Sequence, residues 1–397
     1  MNSNIEQLYY IAQKSSKTII GLMSGTSLDG LDIALCHCEG NGLNTTVNLQ
    51  LFTTLPYAQK FKLEVKSIFS NRHADLEKVC ILNEWIAEEH AKMILATLAD
   101  WNISPNNIDI IASHGQTIYH APKRLHQLEG FNNATLQIGD GDHLAVKTGI
   151  ITISDFRQKH IAAGGEGAPL AAYGDYFLFS KKNENRIMLN IGGIANFTYL
   201  PGNLEVQQVF CTDTGPGNTL MDAYIQQHFP GKYFDEHANV AIKGKIQATL
   251  LNALKNHPFF KSAFPKTIGP ELFNLHYLQQ SINASGTPHY THEDIMATLN
   301  KFSAEAIAEA IVQATSGEKK YTIYSSGGGM HNPLLMHHLK TLLPNTTFKN
   351  TQALNINPDA KEAVLFAVLG NECISGKGLA LGNGQPAITM GKISFPN

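Results

Sequence analysis

Residues 21–36 read GLMSGTSLDGLDIALC. An apolar run meets a turn of glycine, serine and threonine around one aspartate, and a second apolar run follows. The spacing predicts two strands, 17–23 and 31–38, joined by a polar loop. A two-residue Asn-Gly turn would close such a hairpin more simply. A loop this rich in glycine and hydroxyls either relieves backbone strain or lets a ligand approach the main chain. Gly25, Thr26, Ser27 and Gly30 offer backbone N–H groups, hydroxyl donors and little bulk, the set that phosphate recognition needs. Asp29 could hold a metal-bound water beside the same phosphates, because hard cations prefer carboxylate and water oxygens. Hydroxyls capping their own backbone in a tight hairpin are the plainer alternative.

Outward from this loop, a strand at 47–55 would extend the pair into an antiparallel meander. Residues 76–100 place Leu76, Val79, Leu82, Ile86 and Met93 near helical spacing and predict an amphipathic helix. Short apolar strands follow at 108–112, running into SHGQT, at 136–138 and at 150–153. The stretch AAGGEGAPL, from Ala162, reads as a glycine-rich domain junction. A strand at 186–190 then runs into IGGIANFTYL, and one at 206–211 stops at TDTGPGN. Helices are expected at 219–227, 299–315 and 334–343, and a strand at 321–324 ends in SSGGGMHN. Pro358 suits the first turn of a last helix continuing over 359–375. Strands interleaved with helices, with glycine loops at strand ends, predict an α/β architecture whose ligand sites lie at carboxyl edges.

The length of 397 residues suits two domains better than one. With 43% hydrophobic and 16% charged residues the chain is of the folded class. A net charge of -3 supplies no basic field for nucleic acid or an anionic membrane. The first twenty residues lack the apolar core and small-residue cleavage site of a signal peptide. No stretch approaches the roughly 18 unbroken apolar residues of a membrane span. Cys36, Cys38, Cys80, Cys211 and Cys373 are odd in number and scattered, without a CxxC pair, against both a disulfide framework and structural zinc. Cys36 and Cys38 share one strand face as small hydrophobes. A cytoplasmic location is expected.

Neither GxxxxGK[ST] nor GxGxxG occurs, so a nucleotide would be held by dispersed glycine loops. Two segments offer this: NIGGIAN, with Gly192, Gly193 and Asn196, and SGGGMHN, with Gly327, Gly328, Gly329 and Asn332. Both place an apolar strand before GGxxN, leaving bare backbone against which a purine and ribose could lie. Ordinary turn glycines are an equal alternative. Asp213 in TDTGPGN is the best candidate for chemistry. A carboxylate at a strand end beside Gly215, Pro216 and Gly217 can orient and deprotonate a hydroxyl or water, or merely cap the following helix. Glu362 is a candidate second carboxylate, in a first turn where the helix dipole alone would also favour it. His114 has no second histidine at ligand spacing, which points to a hydrogen-bonding role. Asp140 and Asp142 in GDGDH lack the downstream glutamate of a calcium loop and read as loop or substrate contacts. Arg157 in SDFR could grip a carboxylate or phosphate bidentately, or make a surface salt bridge.

Taken in order, GLMSGTSLDGLD, SHGQT, GDGDHLA, DFR, AAGGEGAPL, NIGGIANFT, DTGPGNTLMD, SSGGGMHN and PDAKEAVLFAVL closely resemble the anhydro-N-acetylmuramic acid kinases of bacterial cell-wall recycling. The match begins near Lys17. It implies an α/β fold of two similar domains of the sugar kinase/actin-like (ribonuclease H-like) ATPase kind, with the active site in the cleft between them. The first domain would span 1–148 plus about 376–397, the second 149–375. By the resemblance, the loop of Gly25, Thr26, Ser27, Leu28, Asp29, Gly30, Leu31 and Asp32 binds ATP phosphates, and 327–329 lies by the nucleoside. Asp213 is the base, helped by Glu362, and the substrate contacts are His114, Arg157, Gly215 and Gly217. ATP and Mg2+ are the implied cofactors, and the partner is a small-molecule amino sugar. No nucleic acid or membrane is implied, and a homodimer is left open. The implied reaction converts 1,6-anhydro-N-acetylmuramic acid, ATP and water to N-acetylmuramic acid 6-phosphate and ADP. The alternatives are a conventional sugar or carboxylate kinase, or a nucleotide-switched binding protein that phosphorylates nothing. Two departures stand out. Gly269, Pro270 and Glu271 replace a common Gly-Arg-Glu, and Glu166 stands where glutamine is usual.

Overall fold

The apolar runs flanking SGTSLDG pair with each other in the computed structural model, which describes every residue except 269–271, 287–288, 316–319, 382–383 and 385. β1 (Ser16–Ser24) and β2 (Gly30–Glu39) are antiparallel, with Ser24 opposite Leu31. β3 (Thr46–Pro56) completes the meander. β4 (Ile110–Ala121) lies parallel to β1 on its other side. β5 (Ala134–Ile138) pairs antiparallel with the second half of β4, and β6 (Thr152–Ser154) pairs parallel with its first half.

Strand pleating explains how helices cover this sheet. Ile20 and Leu22 of β1 join Leu82 and Ile86 of helix Leu76–Asp100 in one buried core. Gly21, between them, points the opposite way, against helix Lys361–Ser375. A Cβ at Gly21 would lie 2.0 Å from the Ala363 carbonyl oxygen, so the helix reaches the sheet only because the side chain is absent.

A second sheet repeats the plan. β7 (Arg186–Ile191), β8 (Ile194–Leu200) and β9 (Phe210–Pro216) form an antiparallel meander. β10 (Thr322–Ser326) lies parallel to β7, and β11 (Thr347–Asn350) parallel to β10. β12 (Lys392–Ser394) returns to the first sheet, antiparallel to β6. The first sheet therefore runs β12-β6-β4-β1-β2-β3 and the second β11-β10-β7-β8-β9. Both have three antiparallel strands with parallel strands added beside the first. In the second, Ile187, Leu189 and Phe197 pack with Ile307 and Ile311 of helix His292–Ala314 and with Leu335 and Leu339 of helix Pro333–Leu342.

The chain forms two compact units, Met1–Phe179 with Ala360–Asn397, and Ser180–Asp359. The divisions fall elsewhere than at the expected boundaries near 149 and 376. AAGGEGAPL joins two helices of the first unit, Phe156–Ala162 and Ala171–Phe179. β6 lies between β4 and β12, and helix Lys361–Ser375 packs on β1, so residues 149–179 and 360–375 belong with the first unit. Contacts, not glycine content, decide the partition.

Three local expectations also change. β4 carries SHGQT within the strand, and β9 runs on through Pro216, so Asp213 lies inside a strand instead of after it. The last helix starts at Lys361, with Pro358 in the preceding turn. Residues 3–13, unassigned from sequence, form a helix capped by the Asn2 side chain. Among the described residues, no helix is long and apolar enough to cross a membrane.

Candidate active site

In the first unit the SGTSLDG loop is a tight connection between β1 and β2. Leu28 N–H donates to the Gly25 carbonyl at 3.3 Å, and Leu28 takes the left-handed conformation at φ 59°. Its side chain is buried in the core, which holds the turn from inside while Thr26, Ser27 and Asp29 remain exposed. Gly30 and Leu31 serve packing: a Cβ on Gly30 would lie 2.3 Å from the Leu55 carbonyl oxygen, and Leu31 is wholly buried. Asp32 accepts from Thr54 Oγ1 at 2.6 Å. A buried polar chain fixes the loop's base. Tyr57 OH lies 2.9 Å from His90 Nε2 and donates to Ser24 Oγ at 2.7 Å; Ser24 donates to Gln116 Oε1 at 2.6 Å. Burial lowers His90 to about 4, so it is neutral at pH 7.

Arg157 uses all three nitrogens of its guanidinium. Nε and Nη2 each lie 3.1 Å from His114 Nε2, and Nη1 donates to the Gly167 carbonyl at 2.8 Å. Arginine has no acceptor, so His114 Nε2 accepts and the proton sits on Nδ1. Burial, and secondarily the Arg157 charge, push His114 down to about 3. Burial lowers Arg157 to about 10, opposed by Glu362, and it stays cationic at neutral pH. Glu362 opens helix Lys361–Ser375 beside Lys361, whose Nζ lies 2.8 Å from the buried Asp175 carboxylate. The Glu362 side chain keeps contact with water while protein crowds around it, and that burial raises its pKa. Lys361 and Arg157 pull against the rise, and Asp32 and Asp175 add to it. Because water reaches the carboxyl, screening limits the size of the effect. His114, Arg157 and Glu362 thus form one electrostatic group, as their sequence positions alone could not show. Glu166 lies 3.4 Å from Arg124 Nε, an ion pair that accommodates the acid. Asp140 caps helix Gly141–Thr148 and Asp142 lies in its first turn, a structural role that fits the loop reading of this pair.

In the second unit the three glycine motifs converge. Asn218 N–H donates to the Gly192 carbonyl at 2.9 Å, and Gly217 and Thr219 N–H donate to that of Gly193 at 2.8 and 3.1 Å. A Cβ on Gly217 would fall 2.3 Å from the Gly192 carbonyl oxygen. One on Gly327, at φ 81°, would fall 2.6 Å from Asn190 Oδ1. Gly329 packs as closely on Ile191, whereas a Cβ on Gly192 or Gly328 would meet its neighbours only at ordinary contact distance, 3.5 and 3.9 Å. The GGxxN echo hides two different uses of asparagine. Asn196 lies in β8 opposite Asp213, but Asn332 caps helix Pro333–Leu342 and accepts from Asn300 Nδ2 at 3.1 Å. Asp213 is held from the side: Ile268 N–H donates to its Oδ2 at 2.7 Å. Gly215, at φ 139°, faces the ring of Phe260. Gly269, Pro270 and Glu271 lie outside the described residues.

Sequence reasoning missed Ser24, Tyr57, His90, Asp175 and Ile268. Only Ser24 among them lay within a quoted motif, as the first residue of SGTSLDG, and it bonds to Gln116 of SHGQT. Among the described residues no group of three or more His, Cys, Asp or Glu side chains is placed to hold a metal ion.

The family model for anhydro-N-acetylmuramic acid kinase matches residues 17–389. The chain is 56% identical over 401 residues to the anhydro-N-acetylmuramic acid kinase of Pseudoalteromonas atlantica, covering all of both chains. It is 53% identical over 399 residues to that of Pseudoalteromonas translucida, again covering all of both. It is 36% identical over 397 residues to that of Caldanaerobacter subterraneus, covering 98% of this chain and all of the other. A family match over nearly the whole chain, with a full-length relative 56% identical, places it: the chain belongs to the anhydro-N-acetylmuramic acid kinase family.

Proposed function

We propose that the two units act as the two ATPase domains of a cytoplasmic kinase that opens 1,6-anhydro-N-acetylmuramic acid with water and phosphorylates its O6. The observation that carries this reading is the Asp213 carboxylate, held by Ile268 N–H at 2.7 Å inside the glycine-rich DTGPGN segment. A hydrogen bond to one carboxylate oxygen fixes the direction of the group, as a general base requires. Asp213 takes a proton from water as the water oxygen bonds to the anomeric carbon. The bond from that carbon to O6 breaks, and O6 bonds to the γ-phosphorus as ADP departs. Arg157, fixed by His114 and Gly167, faces the sugar's carboxylate, and Glu362 assists proton movement. Thr26, Ser27 and the Gly25 backbone bind phosphate oxygens, and the side-chain-free backbone at Gly192 and Gly328 lies against the nucleoside.

Magnesium, when bound, neutralises phosphate charge, the usual division of labour in phosphoryl transfer. The exposed Asp29 fits a role through water. Magnesium generally takes one or two carboxylates and keeps its waters, so an all-protein ligand cluster is not required.

Incubation with magnesium-ATP and the anhydrosugar in oxygen-18 water tests the reaction. The heavy label is expected at the anomeric hydroxyl of a phosphorylated product; a phosphorylated product with its anhydro ring intact would make this an ordinary sugar kinase. Asp213→Asn should retain nucleotide binding while turnover drops by about 10²-fold or more. Turnover near wild type in that variant would remove Asp213 from the mechanism.

A further inference from the structure

A buried ammonium is costly unless its charge is answered. Lys266 is 8% exposed, and among the described residues its charge is met by carbonyls and ring faces instead of a carboxylate. Nζ donates to the Phe259 carbonyl at 3.0 Å and reaches that of Phe260 at 3.5 Å. It lies 4.5, 4.7 and 6.0 Å from the ring centres of Phe259, Phe264 and Phe260, within the range of cation–π attraction. The cage is buttressed, because Phe260 packs on Phe302 and Phe273 with ring centres 5.5 and 5.9 Å away.

The backbone of the same residue runs along β9. The Lys266 carbonyl accepts from Asp213 N–H at 2.9 Å and from Thr212 Oγ1 at 3.1 Å, and Lys266 N–H donates to Thr212 Oγ1 at 3.0 Å. Two residues on, Ile268 N–H reaches Asp213 Oδ2. We propose that Lys266 is a positioning residue, its caged ammonium anchoring segment 266–268 so that Ile268 N–H sets the direction of the Asp213 carboxylate. The inference rests on Asp213 being the base.

Lys266→Met keeps the stem and removes the charge. Misorienting the base should lower kcat on the order of 10–100-fold, while KM for ATP and for the sugar stays within about twofold, since binding contacts common to ground and transition states are untouched. The variant is compared alone and combined with Asp213→Asn. If Lys266 acts through Asp213, the double variant is no slower than Asp213→Asn. Wild-type kcat in Lys266→Met overturns the proposal, as does an undiminished loss in the Asp213→Asn background. Near-wild-type activity in Asp213→Asn alone is the separate result that removes the base itself. Should Lys266→Met fail to fold in a thermal melt, Thr212→Val loosens the same segment and leaves the cage intact. Its kcat loss must likewise vanish in the Asp213→Asn background, and independence there overturns the proposal.

Discussion

Arg157 makes three contacts with one rigid plane: two to His114 Nε2 and one to the Gly167 carbonyl. A lysine ammonium has no matching fork and could keep only part of that set. Hydrogen bonds to charged groups contribute roughly 1.5–3 kcal/mol each, so Arg157→Lys should lower kcat/KM for the anhydrosugar by about 10–100-fold, read from steady-state kinetics. A change within twofold would show that this fork does not orient the site. At this scale the sequence carried residue types better than partners. The lack of a second histidine near His114 directed attention to hydrogen bonding, but its partner Arg157 lies in a different element, beyond any local spacing. Asp213 stood out because glycines surround it. Ile268 and Lys266, which hold it, sit in a segment with no pattern of its own, and backbone hydrogen bonds to a side chain leave no mark on residue identity.

The elements were legible where burial imposes a period. Helix Leu76–Asp100 and strands β1 to β3 match their expected spans closely: the helix buries one repeating stripe, β1 and β2 are apolar runs buried on both faces, and β3 largely alternates exposed with half-buried residues. Strand ends were less legible at β4 and β9, where polar SHGQT and TDTGP continue as strand under tertiary hydrogen bonding. Gly21 shows an element-level constraint of another kind, since its role is to admit a helix from far along the chain. A Cβ there would press on backbone, lying 2.0 Å from the Ala363 carbonyl oxygen and 2.8 Å from Ala367 N, and backbone cannot swing aside as a side-chain tip can. Gly21→Ala should therefore destabilise the protein by about 1–3 kcal/mol or more, measured by urea unfolding. It should also lower activity, because Glu362 immediately precedes Ala363 on the displaced helix. A loss below about 0.5 kcal/mol, the range of ordinary surface changes, would mean that sheet and helix separate freely.

For the whole molecule, the repeated strand order could be expected only through the family resemblance. Parallel pairing joins β4 to β1 and β10 to β7 across long loops, and no local pattern encodes such a partner. Burial on this scale has a further consequence for stability at high pH. Burial pushes Cys38 up to about 12, with Lys17 pulling down, and holds Cys36 well above its ordinary range. It pushes Tyr173 and Tyr224 up to about 12, and raises Tyr57 and Tyr277 as well. Each group stays protonated in the folded chain, whereas the unfolded chain ionises them above their ordinary values of 9.0 and 10.0. Unfolding then releases protons. Stability from these groups is complete at neutral pH and declines as pH rises through the window from 9 toward 12. Lys17, Lys266 and Arg157, lowered by burial, oppose the trend but are outnumbered. Each fully buried thiol or phenol steepens the decline by up to roughly 1.4 kcal/mol per pH unit. Cys38→Ala removes one such group. The variant starts below wild type at pH 8, having lost a buried sulfur, but its urea midpoint should fall less steeply through pH 9, 10 and 11, by about one proton's worth of slope. If the two curves stay parallel across that range, the thiol beside Lys17 ionises as readily folded as unfolded, and the decline must come from Cys36 and the phenols.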